Sequence, residues 1–325
     1  MSDVRWGILG AGSVARRRVL PAIQSLEGHE IAALMVRNKS RAEDLAADFG
    51  AERAHTSAED LIADAGVNAV YVSSPVNLNL AHTLASARAG KQVLCEKPMA
   101  MSAEECSQMI RVCEEAGVVL GVCFVLRGWE IYQRIREHIR DGRFGTIVEI
   151  RAHLAKWTPR DASEWRLDPA QSGGGTLVDV ATHYLDLFRY LLGDITKVAY
   201  MGSHRVFSWP VEETAHTLVE FESGVHGTLT ATCTVPSGGN VLEVYGSEGS
   251  LFLGNKLRIV TGDEMTEEDV VFPDYYSGLL SDFGRCVGSG DVPIASGLDG
   301  LRCLQVTDAA YRSDTEQRIA TVADE

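Results

Sequence analysis

Over the first 124 residues, short apolar runs rich in β-branched side chains alternate with longer stretches of helical period, the pattern of strands that return parallel to one another through helices. The strand candidates are 4–9, 30–36, 69–73, 92–95 and 118–124. Helices between them are signalled by the capping patterns Ser40-Arg41-Ala42-Glu43 and Ser102-Ala103-Glu104-Glu105, and by Gly50, Gly66, Gly90 and Gly117 where they should stop. After a helix over 129–141 the period changes. A long strand is expected at 146–156, then an irregular stretch to Gly173-Gly174-Gly175, then a helix reaching 192. Alternating runs at 214–221, 225–234 and 241–245 follow, the mark of an antiparallel or mixed sheet with one buried face. Segments 276–288 and 296–312 read as helices and 318–322 as a short last strand. The chain therefore divides into an α/β domain, 1–124, and an α+β domain, 125–325.

At 325 residues, 45% of them hydrophobic, the chain is long enough for two cores. A net charge of −15 argues against a nucleic-acid or anionic-membrane surface. No run approaches the ~20 apolar residues of a membrane helix, and the start lacks a signal-peptide pattern, so a cytoplasmic protein is expected. The seven cysteines form no CxxC pair and read as reduced, buried thiols.

The first strand runs into Gly10-Ala11-Gly12-Ser13-Val14-Ala15, a G-x-G-x-x-A pattern between strand and helix. There Gly10 permits a tight turn, Gly12 lets a pyrophosphate approach the backbone, and Ala15 lets the helix pack on the sheet. Further dinucleotide contacts are expected at Ser73, Ser74 and Pro75, where the serines can donate to ribose or phosphate. After the second strand come Arg37, Asn38, Lys39, Ser40 and Arg41, with no acid until Glu43. An NAD enzyme usually carries an acid there, whereas cations suit the 2′-phosphate of NADP. NADP is therefore the expected cofactor, with NAD the alternative.

The run Glu96-Lys97-Pro98 at a strand end resembles the Glu-Lys-Pro signature of the glucose-fructose oxidoreductase/inositol dehydrogenase (Gfo/Idh/MocA) family. The later segment Gly173-Gly174-Gly175-Thr176-Leu177-Val178-Asp179-Val180-Ala181-Thr182-His183 is similar to its G-G-G-x-x-x-D-x-x-x-H segment. Residues 121–127 and the pair Trp165-Arg166 resemble the 1,5-anhydro-D-fructose reductase branch. The resemblance implies a Rossmann domain followed by a domain built on a large open, mostly antiparallel sheet, and a homodimer or homotetramer. It also implies that Lys97 and Arg166 approach the nicotinamide end of the cofactor, with their neighbours Glu96 and Trp165 among the cofactor contacts. One departure stands out: the family's P-N-x-x-H loop ends here in Asn79.

Oxidising a carbinol frees a hydroxyl proton, and His183 is suited to take it because imidazole titrates near neutrality. Asp179 lies four residues earlier on the expected helix, where it can orient the imidazole or bind a neighbouring substrate hydroxyl. Lys97 can hydrogen-bond the reacting oxygen. His153 and Lys156, on the strand leading in, are candidates to face the substrate. Trp157, Trp165 and Trp209 are candidates for a sugar-stacking wall, though tryptophans at such positions more often pack. No third and fourth ligand support a metal at the Asp/His pair, so none is assigned. The expected activity is hydride transfer between a nicotinamide and a sugar or polyol. The rivals are a non-enzymatic NAD(P)-binding regulator and a glycoside hydrolase that retains NAD.

Overall fold

The computed structural model describes residues 4–271 and 274–322. Their contacts form two units, Met1–Trp129 with Pro273–Leu301, and Glu130–Phe272 with Arg302–Glu325. This differs from the contiguous division at 124: a late segment returns to complete the first unit. The reason is packing. The Gly128 backbone lies so close to Gly278 and Leu279 that a Cβ at 128 would fall 2.6 Å from the Leu279 nitrogen. Arg127 donates to Ile294 O at 2.9 Å and pairs with Asp299 at 2.9 Å.

In the first unit, the described strands β1 (Val4–Leu9), β2 (His29–Met35), β3 (Arg53–His55), β4 (Ala69–Val72), β5 (Gln92–Cys95) and β6 (Leu120–Val122) pair in the order β3-β2-β1-β4-β5-β6. Every pairing is parallel. The order reverses between β2-β1 and β4, and ligands of such sheets bind beyond the carboxyl ends of the strands at that point. The four residues of β4 are buried, as expected of a strand covered on both faces.

In the second unit, strands β7 (Ile147–Trp157), β8 (Ile195–Ser203), β9 (Thr214–Phe221), β10 (His226–Thr232), β11 (Thr234–Gly246), β12 (Gly249–Leu253), β13 (Lys256–Thr261), β14 (Glu264–Asp269) and β15 (Ala320–Thr321) form one sheet among the described residues. Its order is β14-β13-β12-β11-β7-β10-β9-β8-β15. Only β7 and β10 run parallel; the other pairings are antiparallel. The helix Thr182–Leu192 buries Leu185, Leu187, Phe188 and Leu191. A Cβ at Gly227 of β10 would meet Ile150 and Phe188 together, so this helix covers the sheet face that carries Ile150.

Candidate active site

In the first unit, three backbone features shape the loop after β1. Gly10 has φ +86°, and a Cβ there would fall 2.7 Å from Ser73 O. Gly12 N donates to Gly10 O at 2.7 Å. Arg16 N donates to Gly12 O at 3.1 Å as the helix begins. Exposed Gly12 thus leads into a helix that opens at the exposed Ser13 and Val14 and is π-helical over Ala15–Val19, with no side-chain cap. Its free N–H groups favour an anion. Gly12 discriminates between readings: a Cβ there would meet nothing nearer than 3.9 Å, so the fold does not demand glycine at this position. A pyrophosphate lying against the backbone does, and the loop fits the dinucleotide. Ala11 and Ala15 are fully buried beneath it.

The serines after β4 have partners within the protein. Ser73 Oγ donates to Gly10 O at 2.7 Å, tying the glycine loop to β4. Ser74 Oγ donates to Asn79 Oδ1 at 3.0 Å and lies 2.9 Å from His82 Nδ1. Pro75 begins the turn Val76–Leu78. Asn79 is 1% exposed and donates from Nδ2 to Pro98 O at 3.2 Å, so it braces the Lys97-Pro98 turn from within. Both ends of its side-chain amide are thus engaged by protein partners. One helical turn on, His82 supplies an imidazole to the same serine.

At the end of β2, Asn38 accepts from Arg41 N at 3.0 Å and caps the helix Lys39–Phe49. The cap is therefore Asn38 rather than Ser40, and its amide NH2 is what remains for a ligand. Arg37 and Arg41 are exposed, and neither side chain is engaged by protein among the described residues. Lys39 pairs with Glu43 at 3.8 Å.

Glu96, at the end of β5, holds the turn that carries Lys97. Tyr71 and Tyr276 each donate to Glu96 Oε1 at 2.6 Å, and Lys97 N donates to Oε2 at 3.2 Å. Burial pushes both tyrosine hydroxyls well above their usual pKa, so they remain donors. Tyr276 belongs to the returning segment, and nothing in its local sequence announces a partner 180 residues away. The Lys97-Pro98 peptide bond is cis.

In the second unit, Asp168 caps the short helix Pro169–Ser172, and the glycine run then opens the segment that carries Asp179 and His183. A Cβ at Gly174 would overlap the Tyr311 hydroxyl, and one at Gly175 would overlap the Glu212 backbone. The buried Glu212 carboxylate accepts from Gly175 N, Leu177 N at 2.9 Å and Tyr311 OH at 3.0 Å. It acts as a cap supplied from outside the helix, and burial raises its pKa. Asp179 sits on a π-helical turn, Leu177–Ala181, and His183 on the α-helix Thr182–Leu192 that continues it.

Asp179 receives two guanidinium groups: Arg160 Nη2 donates to Oδ2, and Arg166 Nε lies 3.5 Å from Oδ1. Arg166 also stacks over Trp165, 4.4 Å from its ring centroid. The expected Trp165-Arg166 pair and Asp179 are thereby brought together. Arg160 was not anticipated, since one cation in the irregular stretch 158–164 carries no pattern. His153 lies on the exposed side of β7, opposite Ile150, Ala152 and Leu154. It points away from the face covered by the helix of His183, because strand side chains alternate. Lys156 is exposed near the end of the same strand.

Comparison with known proteins now decides the class. Residues 4–124 match the model described as "Oxidoreductase family, NAD-binding Rossmann fold", and residues 132–252 match the GFO/IDH/MocA C-terminal domain. The chain belongs to the Gfo/Idh/MocA oxidoreductase family. This Gfo/Idh/MocA member is 34% identical to the 1,5-anhydro-D-fructose reductase of Ensifer adhaerens, over 98% of each chain. It is 29% identical to the scyllo-inositol 2-dehydrogenase (NAD(+)) of Bacillus subtilis, over 96% of this chain and 94% of the relative. Its fold superposes on the aldose-aldose oxidoreductase of Caulobacter crescentus, complexed with glycerol, with TM-score 0.90 and 28% identity over 98% of this chain and 99% of that one. The family member is an NAD(P)-dependent oxidoreductase. No described helix is long and apolar enough to cross a membrane.

Proposed function

We propose that the protein moves a hydride between NADP(H) and a CH–OH or C=O carbon of a sugar or polyol. The observation that carries this reading is the segment 173–183. There, close-packed glycines and the buried Glu212 hold Asp179 and His183 on a defined helical turn, in a chain whose first unit cradles a dinucleotide. The names of the relatives, a reductase and dehydrogenases of sugars and inositols, support the substrate class.

In the oxidative direction His183 takes the hydroxyl proton and Lys97 steadies the oxygen with its ammonium group. Asp179 and its arginines fix neighbouring polar groups. The nicotinamide, when bound, supplies or accepts the hydride. Gly10, Ala11, Gly12, Ser13 and Val14 take the pyrophosphate, with Ser73, Ser74 and Pro75 closing the loop beside it. Glu96 holds the backbone of Lys97, and Trp165 and Arg166 approach the nicotinamide end.

NADP(H) is preferred because Arg37 and Arg41 are exposed and uncommitted at the end of β2, where no acid awaits the ribose. Arg37→Asp is expected to move the ratio of catalytic efficiencies toward NAD(H) by ~10-fold or more, since a charge-assisted phosphate contact is lost and a repulsive one gained. Wild-type efficiency with NAD(H) equal to or above that with NADP(H) overturns the preference. The function itself is tested by a panel of polyols, aldoses and ketoses with both cofactors, read as stoichiometric change in reduced nicotinamide. Glycoside cleavage without net cofactor turnover marks a hydrolase instead, and binding without chemistry a regulator.

A further inference from the structure

Within the second unit, a cleft of about 510 Å³ lies beside Asp179; of the groups given roles above, Arg160 and Trp165 line it. Arg160, Leu167 and Trp209 line both this cleft and a small cavity that contains Asp179 and Arg166. The volume falls in the range of small-molecule sites, roughly 300–1,000 Å³. Its aromatic wall is Trp165, Phe207 and Trp209. Phe207 and Trp209 stack at 4.6 Å with planes 17° apart, and Trp157 backs Phe207 at 4.9 Å. Arg166 stacks on Trp165 and does not itself line the cleft.

The wall is built before any ligand arrives. Buried Glu213 accepts from the backbone N–H groups of Arg205, Val206 and Phe207 at 3.0, 2.8 and 2.7 Å, which pins the loop that carries the aromatic residues. The polar rim is charge-balanced. Arg160 donates to Glu164 at 3.2 Å as well as to Asp179, and Asp168 accepts from Gln171 at 2.7 Å. A phosphate or carboxylate would meet Glu164 and Asp168, and a cation would meet Arg160. The chemistry that fits is a neutral ring with C–H groups on one face and hydroxyls around its edge. Its C–H groups suit the negative face of an aromatic ring, and its hydroxyls suit the mixed rim.

We propose that this cleft is a second sugar subsite and that the substrate is a glycosylated sugar, an inference that rests on the sugar oxidoreductase reading. The reacting unit lies toward Asp179, and a further pyranose ring stacks on the Trp209 platform. Arg160 is a positioning residue: one guanidinium touches the cleft through Glu164 and the candidate site through Asp179. Occupancy by the second ring therefore raises kcat as well as lowering KM, because binding away from the reacting carbon is used to orient the group beside it.

The test compares cellobiose, maltose and xylobiose, each against its own monosaccharide, in the full-length protein with cofactor. Preference for the best disaccharide by ~10-fold or more in kcat/KM is expected, with part of the gain in kcat. Trp209→Ala should cut that ratio by ~10-fold, and Trp209→Phe should retain most of it. Calorimetric titration of the wild type with the same disaccharides reads binding without turnover, so the proposal stays testable if the alanine variant does not fold. A ratio at or below one for every pair, a ratio unmoved by Trp209→Ala, or binding of none of the disaccharides overturns the subsite. Turnover of monosaccharides with no disaccharide preference does so while sparing the oxidoreductase reading. Disaccharide binding with no turnover of any sugar does the reverse.

Discussion

A carboxylate that accepts from two tyrosine hydroxyls at 2.6 Å and from the backbone of its neighbour is fixed in a way that a hydrated surface acid is not. Glu96 is that group, and it stands next to the lysine proposed to steady the reacting oxygen. Tyr276→Phe removes one donor while keeping the ring. It should lower kcat by roughly 3–10-fold through a less well-held Lys97, at a stability cost of about 1–3 kcal/mol. Steady-state kinetics beside a thermal melt checks this, and unchanged kcat in a destabilised variant would assign Tyr276 to stability alone. His183→Asn should act on chemistry without disturbing the dinucleotide loop. Turnover should fall by ~10²-fold or more while the Kd for the cofactor, from equilibrium titration, stays within about twofold. A variant that turns over at the wild-type rate removes His183 from the mechanism.

At the scale of elements, two glycines two residues apart in one loop make separable predictions. Gly10→Ala places a Cβ against Ser73 O at a positive φ, so it should lower Tm. Gly12→Ala makes only an ordinary contact, at 3.9 Å from Gly10 O, so it should leave Tm unchanged and weaken dinucleotide binding by ~10-fold. Equal losses of stability in the two would undo the argument for a ligand at Gly12. The same loop shows what a sequence conveys. The strands β1, β4 and β5 stand out because each is an apolar run ending at a turn, and the expected positions agree to within a residue. Strand β3, Arg-Ala-His, carries no apolar run and was not foreseen. The adjacent acids Glu212 and Glu213 carry no signal in the sequence, yet both are buried because each accepts from backbone N–H groups of other segments. Local pattern reports burial of apolar faces; it does not report which backbone donors a distant side chain will satisfy. For that reason the Gly-Gly-Gly and Glu-Lys-Pro runs were visible while the residues that hold them, Glu212, Tyr311, Tyr71 and Tyr276, were not.

For the molecule as a whole, one half-buried acid sets a pH dependence. Burial raises the pKa of Asp308 from 3.8 to about 6, against the opposing pull of Arg312. The folded state therefore holds this proton more tightly than the unfolded chain. The associated stability is present below pH ~4 and is lost as pH rises through about 6, to the extent of about 1–3 kcal/mol. Asp308→Asn should thus raise Tm at about pH 7.5 and change it little near pH 4, as thermal melts at the two values will show. An equal shift at both would place the effect outside titration.

The returning segment of the first unit has a consequence in time. A chain is made from its N-terminus at about 5–20 residues per second, so roughly 8–33 s separate the synthesis of Arg127 from that of Ile294, 167 positions later. Until then the nascent sheet lacks the carbonyl and carboxylate that Arg127 requires, and Glu96 lacks the Tyr276 hydroxyl. The dinucleotide-binding unit, first in sequence, is completed only after most of the second unit has been made. A nascent chain stopped before the return should expose this unfinished edge to chaperones and proteases, and the long first segment of the second unit must be made before the first unit can close.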